Sequence, residues 1–257
     1  MSAEARSDRL RSFRRKSRKS RPVRAVAMAA GGQVHIKPVA EKLEALSDAV
    51  FGFSMTLLVV SLDVPKTVAE LFEVMQGFIA FAITFAILLM IWFNHYKFFR
   101  RYGLEDSTTA SLNSVLLFVV VFFVYPLKFV FTVLVNAFMG RPVPPITLEE
   151  AITMMIIYGL GYVAIFLTFG LVYWHAYRKR KDLQLNEIEI FDTKGSLREN
   201  LIQTLVGVIS IMIAWIGRQP AIAGWMYAAL GPIMTFHGTW TGKRRRVLEE
   251  KSLNTPE

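Results

Sequence analysis

The chain contains no cysteine, which excludes disulfide bonds, thiolate nucleophiles and cysteine-ligated metal sites. It also lacks the zinc-protease, serine-hydrolase and phosphate-loop signatures, and Gly159-Leu160-Gly161 misses the third glycine of a dinucleotide-binding loop. Histidine is scarce, and no two of the four share one helix face at close spacing: His35, His95, His175 and His237. The sequence therefore predicts no enzyme, no cofactor and no metal site.

Apolar residues, by contrast, are abundant. Hydrophobic residues make up 53% of the 257 positions, 20 of them are Phe, and the mean hydropathy is +0.39. Six long apolar stretches are each near the about 20 residues that cross a bilayer core; they run roughly over 46–62, 71–93, 110–136, 152–174, 201–217 and 220–241. This pattern predicts an all-α membrane protein with six transmembrane helices. The alternative, a soluble protein with six buried core helices, does not explain the basic connectors.

The distribution of positive charge predicts the orientation. If both termini lie on one side of the membrane, 26 of the 30 Lys and Arg residues lie on that side. The opposite side receives Lys66, Arg141 and Arg218, while Lys128 lies inside the third stretch and can extend its long stem to the interface. By the positive-inside rule both termini are cytoplasmic. We predict a disordered basic arm over 1–40, a membrane domain over 41–241 and a basic cytoplasmic tail over 242–257.

The net charge of +10 also raises the question of a nucleic-acid partner. Eight Lys and Arg residues lie between Arg11 and Arg24. A polybasic arm beside a first membrane span is attracted to anionic lipid headgroups, and this accounts for the charge without a nucleic acid. We therefore predict membrane lipids as partners of the basic arm.

Polar residues cluster at the start of the first apolar stretch, where Glu44, Ser47 and Asp48 precede the long apolar run. An ionisable group at that position indicates a functional site, because it is costly unless it faces protein or water. The simpler interpretation is an N-cap, in which Ser47 or Asp48 accepts the free N–H groups of the first helical turn.

Two further polar residues are predicted at the same depth. His95 ends the second stretch and Asn113 begins the third, both on the cytoplasmic side with Asp48. Buried polar groups are tolerated when they satisfy one another, so we predict a network of Ser47, Asp48, His95 and Asn113. Separate solvation of each group at the interface is the alternative. His175 and His237 are expected to be interfacial side chains.

Together these segments resemble the transmembrane protein 175 potassium channel family. The resemblance rests on a first-helix signature, read here as Lys42-Leu43-Glu44-Ala45-Leu46-Ser47-Asp48, then Thr56 and Asp63-Val64-Pro65. The ending from Trp92 to His95 and the third span from Asn113 to Pro126 are also similar, and the likeness covers about 41–241 in the single six-helix repeat of the bacterial branch. Lys42 stands where the family has Arg and Leu46 where it has Phe.

The resemblance implies a homotetramer that conducts monovalent cations, mainly K⁺, passively through a pore lined by the first helix. The pore-facing residues would be Phe53, Thr56 and Val60, and Lys42 would join the polar network. This chain lacks the Thr-Val-Gly-Tyr-Gly filter, so hydrophobic and hydroxyl side-chain rings would form filter and gate. The spacing of three and four places these residues on one helix face by itself. That stripe could alternatively pack against neighbouring helices.

Two other functions remain open at this point. A secondary transporter would use Asp48 and His95 as a proton or cation relay, although the chain shows no obvious inverted repeat or matching broken helices. A small membrane scaffold would use the polar cluster only to join helices. In each case we expect a multi-pass protein of the cell membrane, in a bacterium the inner membrane.

Overall fold

The computed structural model describes residues 38–60 and 64–254, so most of the predicted basic arm lies outside the described residues. The described part contains helices and no strand. In chain order the helices are α1 (Pro38–Val60), α2 (Val68–Gln76), α3 (Phe78–Tyr102), α4 (Ser107–Phe138), α5 (Leu148–Arg178), α6 (Glu187–Trp215), α7 (Pro220–Ala228) and α8 (Leu230–Asn254).

Five helices in the described part are long and apolar enough to cross a membrane: α1 from Lys42 onward, α3, α4, α5 and α6. The sixth predicted stretch, 220–241, is divided between α7 and α8 at Ala229. Pro232 explains the interruption, because a proline has no N–H to donate to the carbonyl four residues earlier, here that of Ala228. Beyond this stretch α8 continues to Asn254, so the described part of the predicted tail is helical.

The second predicted stretch also begins differently in the structure. Residues 71–76 belong to the short helix α2, and the spanning helix α3 starts after Gly77 and extends to Tyr102. Its end is set by Gly103, which adopts a left-handed conformation at φ 55° and donates its N–H to the Phe99 carbonyl. Glycine tolerates this conformation, which ends many helices. His95 therefore lies inside α3, which ends nine residues beyond residue 93, the predicted end of the second apolar stretch.

The helices pack in a sequence from α1 to α8. Helix α1 contacts α3 and α4, α4 contacts α5, and α5 contacts α6, which in turn contacts α7 and α8. A large apolar core joins Phe51 and Leu58 of α1 to side chains of α3, α4 and α5. Consequently α1 lies at one edge of the protomer, and the pair α6 and α8 lies at the other.

Two glycines set the packing around α5. A β-carbon at Gly161 would overlap the ring of Phe123 on α4, and one at Gly159 would overlap Ile211 on α6. Small residues allow membrane helices to approach closely. The Gly-Leu-Gly sequence that fails as a nucleotide loop therefore has a structural role between three helices.

Candidate functional site

Helix α1 has one buried face. Ser47, Phe51, Ser54 and Leu58 are each at most 1% exposed, and their spacing of four, three and four residues places them along one side of the helix. The Phe51 ring lies 5.5 Å from that of His95 on α3. This face joins α1 to the rest of the protomer.

The opposite face of α1 carries the three residues predicted to line a pore. Phe53 is 57% exposed and Val60 76% exposed, and Thr56 between them is exposed as well. The Thr56 hydroxyl donates to the Phe53 carbonyl at 2.8 Å. Leu46 and Ala49 extend the same exposed stripe toward the start of the helix. In the protomer, α1 thus presents an uncovered apolar stripe that contains one hydroxyl.

A chain of hydrogen bonds joins three helices beside the buried face. Asn113 of α4 lies between Ser47 of α1, whose hydroxyl oxygen is 2.9 Å from its Nδ2, and His95 of α3, whose Nε2 is 2.8 Å from its Oδ1. All three side chains are at most 2% exposed. The structure therefore brings together three of the five residues predicted for the polar network.

The direction of this chain follows from Ser47. Its hydroxyl has one proton, which it donates to the Leu43 carbonyl at 2.7 Å, so toward Asn113 it can only accept. Asn113 then donates its amide to Ser47 and presents its carbonyl to His95. His95 must donate from Nε2, and its buried Nδ1 has no hydrogen-bond partner among the described residues. The chain thus fixes the ring orientation of His95.

Asp48, predicted to join this network, lies outside the chain of hydrogen bonds. It is exposed, and its carboxylate accepts a hydrogen bond of 2.8 Å from Trp92 Nε1 on α3. Trp92 in turn stacks on Tyr96 with ring centroids 5.6 Å apart. Asp48 therefore ties α1 to α3 by a second contact, and no hydrogen bond joins it to His95 in the described part of the chain.

The capping interpretation of Ser47 and Asp48 is wrong. Helix α1 begins at Pro38, so both residues lie more than two turns inside it, and Ser47 donates to a carbonyl of the preceding turn. Hydropathy locates the apolar part of α1, but it does not show how far before that part the helix begins.

Lys42, the fifth residue predicted for the polar network, is exposed and makes no ion pair with another residue that the structure describes.

An ion-pair cluster that the sequence did not reveal lies where the start of α4 meets the end of α5. Asp106 accepts hydrogen bonds from Thr109 and from His175 Nε2, both at 2.8 Å, and Lys179 is 3.5 Å away. Burial raises the pKa of the Asp106 carboxyl, but the hydrogen bonds from Thr109 and His175 and the charge of Lys179 outweigh it and hold the pKa below its ordinary value. The Asp-x-x-Thr spacing at a helix start was the available signal.

A second cluster links three helices through Asp192 of α6. Its carboxylate lies 2.8 Å from Arg101 of α3 and 3.3 Å from Arg245 of α8. Next to it, Tyr102 of α3 and Thr193 of α6 are hydrogen-bonded at 2.8 Å. No group of three His, Asp or Glu residues within the described ranges is arranged to hold a metal ion.

Similarity to known proteins identifies the family of this chain. Residues 42–123, which cover most of α1, all of α2 and α3 and the first half of α4, match the model described as endosomal/lysosomal potassium channel TMEM175. A potassium channel of Marivirga tractuosa is 39% identical over 224 residues, which are 81% of this chain and 91% of that protein. The chain belongs to the TMEM175 family of potassium channels.

Other relatives agree with this assignment. A potassium channel of Chamaesiphon minutus is 28% identical over 143 residues, 52% of this chain and 64% of that protein. Among solved structures, a variant of the potassium channel MtTMEM175, crystallised with a nanobody–MBP fusion protein, matches with a TM-score of 0.71 and 39% identity, covering 78% of this chain and 93% of that one. These matches confirm the resemblance drawn from the first-helix signature, and the TMEM175 chain is a multi-pass protein of the cell membrane.

Proposed function

We propose that this TMEM175 protein is a passive K⁺ channel in which four copies place α1 around a central pore. The observation that carries the proposal is the division of α1 into two faces. Ser47, Phe51 and Leu58 are packed within the protomer, while Phe53, Thr56 and Val60 form an exposed stripe on the other side. A stripe that the protomer leaves uncovered at its edge is available to face the same stripe of other copies.

The chemistry of the stripe suits a pore made of side chains. Four Phe53 rings would form a hydrophobic constriction that gates by excluding water, and four Thr56 hydroxyls would help to hold a partly dehydrated cation. Val60 would add a second apolar ring one turn further along. Every relative described above bears the name potassium channel, which supports K⁺ as the permeating ion.

The polar chain from Ser47 to His95 would hold the pore helix in place. It connects the buried face of α1 to α3 and α4 through side chains that have no access to solvent. A buried chain of hydrogen bonds between helices favours one arrangement of those helices. We assign Ser47, His95 and Asn113 to this structural role, with Asp48 acting through Trp92 and Lys42 as an adjacent cytoplasmic charge.

We also propose six crossings with both termini in the cytoplasm. Residues 220–236, comprising α7 and the first turns of α8, contain no Asp, Glu, Lys or Arg and are long enough for a short span. Near the ends of α3 and α5, an aromatic residue is followed four positions later by a cation. Lys97 lies 4.4 Å from the Phe93 ring centroid, and Arg178 lies 4.9 Å from that of Trp174. Such pairs are typical of a membrane interface, and their positive charges indicate the cytoplasmic side.

Planar-bilayer recording of the purified protein under a K⁺ gradient tests this function. Unitary currents that reverse near the K⁺ equilibrium potential are the expected result. Thr56→Val should move the reversal potential toward that of a cation-nonselective pore, because the hydroxyl ring is lost while the side-chain volume is kept. Slow, stoichiometric flux without unitary currents would indicate a transporter instead, and an electrically silent protein would indicate a scaffold.

A further inference from the structure

The outer edge of the protomer, opposite α1, is formed by α6 and α8 packed antiparallel. Three pairs of residues define their register. Glu199 and His237 lie 3.5 Å apart, Gly195 faces Thr241, and Asp192 lies 3.3 Å from Arg245. As residue numbers fall by three or four on α6, they rise by four on α8, which is the pattern of two antiparallel helices.

Beside this seam, each helix has an outward face that changes from apolar to basic. On α6 the exposed residues Leu205 and Leu201 are followed toward the cytoplasm by Arg198 and Lys194. The positions differ by three or four residues, so they lie on one face. The face therefore leads from the apolar part of the helix directly to two positive charges.

Helix α8 repeats this change in the opposite chain direction. Ile233 and Phe236, the latter 75% exposed, are followed by Trp240 and Arg244 at the same helical spacing. The register of the seam brings Arg198 beside Trp240, with its guanidinium 5.7 Å from the ring centroid, while Arg244 lies 4.1 Å from the same ring. Two guanidinium groups from different helices thus flank one half-exposed indole.

These cations differ from those of the adjacent seam in having no acidic partner. Arg245 and Arg101 pair with Asp192, whereas Lys194, Arg198 and Arg244 form no ion pair with any residue in the described ranges. Lys194 lies 5.3 Å over the Tyr177 ring of α5. Their charge is therefore available to an anion.

We propose that Arg198, Trp240 and Arg244, with Lys194 beside them, form a binding site for the headgroup of an anionic phospholipid of the cytoplasmic leaflet. Guanidinium groups bind phosphate oxygens in a bidentate manner, and tryptophan favours the boundary between headgroups and acyl chains. The acyl chains would lie along the two apolar stripes that start directly below the cations. This continuity favours a lipid over a soluble phosphate ester, because the stripes give chains a place that an ester would not use.

Native mass spectrometry of the full-length assembly tests the site without reference to ion conduction. The protein is titrated with phosphatidylglycerol, with phosphatidylcholine of the same acyl chains, and with soluble glycerol 3-phosphate. The wild type should retain phosphatidylglycerol in preference to phosphatidylcholine. Arg198→Gln/Arg244→Gln should weaken this binding about 30-fold, since each direct guanidinium–phosphate contact that is lost costs about a factor of five.

Lys181→Gln/Arg246→Gln is the matched control, because it removes the same charge from exposed cytoplasmic positions that make no contact with Trp240. It should bind phosphatidylglycerol as the wild type does. Arg244→Gln alone changes one exposed side chain and should fold normally with about a fivefold loss. Equal binding by the wild type and the double variant, an equal loss in the control, or equally effective binding of glycerol 3-phosphate would each overturn the proposal.

Discussion

Helices α1 and α5 differ sharply in how much of their apolar length the protomer covers. In the most apolar window of α5, 56% of the residues are buried, against 22% in that of α1. Helix α5 also meets its neighbours at Gly159 and Gly161 with no room for a side chain, while Gly52 of α1 has no atom within 4 Å of an added β-carbon. The helix at the centre of the protomer is thus not the helix proposed at the centre of the assembly.

This difference shows what each helix is selected to contact. A helix that packs within its own chain needs small residues and a continuous buried face, as α5 has. A helix that is apolar on a face its own chain leaves open must meet lipid or another subunit, and α1 has a hydroxyl in the middle of that face. Variants that affect the two helices in different ways test whether α1 faces a pore while α5 packs within the protomer.

The largest effect is expected at Phe53. Phe53→Ala should widen the proposed constriction and raise the single-channel conductance several-fold, and Phe53→Asn should ease wetting of the same ring. Both are measured as unitary currents in planar bilayers. Phe138→Ala, which truncates an even more exposed Phe at the end of α4, should leave the conductance unchanged. Wild-type currents in both Phe53 variants would remove this residue from the pore.

The next effect concerns the buried chain from Ser47 to His95. Asn113→Leu should lower the free energy of unfolding by about 1–3 kcal/mol, because the Nε2–H group of His95 is left buried without an acceptor. His95→Phe strands the Asn113 carbonyl and should cost a similar amount. In the double variant neither group remains, so its melting temperature in detergent should be no lower than that of the worse single variant.

Asp48→Asn provides the contrast for that cycle. Among the residues that the structure describes, Asp48 shares no hydrogen-bond partner with His95, since it bonds to Trp92 while His95 bonds to Asn113. The losses caused by Asp48→Asn and His95→Phe should therefore be closer to additive than those of Asn113→Leu and His95→Phe. Strong non-additivity between these two would mean that a single network includes both, as the sequence alone had suggested.

These cases show where sequence reasoning succeeds and where it stops. The periodicity of α1 predicted that Phe53, Thr56 and Val60 share a face, and the signature predicted the family, because both depend only on residue type and spacing. The partner of Asp48 depends on how α3 is rotated about its axis, which spacing does not give. The start of α1 at Pro38 and the interruption at Ala229 were also not predicted. Hydropathy shows which residues are apolar, but it does not show where a helix begins or where a backbone hydrogen bond is missing.

An effect of similar size is expected where one methyl group is added to α5, and no loss is expected where one is added to α1. Gly161→Ala should destabilise the protein by about 1–3 kcal/mol, because the new β-carbon would overlap the Phe123 ring. Gly52→Ala should not destabilise the protein, and the higher helix propensity of alanine favours it by up to about 1 kcal/mol. Thermal melts of the two variants in one detergent decide the matter: equal losses would mean that α1 is as closely packed at Gly52 as α5 is at Gly161.

The smallest effect is expected at Asp106, which joins the start of α4 to the end of α5. Its folded-state pKa lies below the ordinary value of 3.8, so its contribution to stability is present above that pH and is lost as the pH falls through the folded-state value. Asp106→Asn should therefore lower the melting temperature slightly at pH 7, within the about 1 kcal/mol typical of exposed pairs. The difference from the wild type should vanish as the pH falls through the folded-state pKa. Asp182→Asn changes an exposed residue that makes no ion pair within the described part of the chain, so it should match the wild type throughout. If the melting temperature of Asp106→Asn stays below that of the wild type in acid, the cause is the hydrogen bond with Thr109. An amide also disturbs that bond, so the charge of Asp106 would not be responsible.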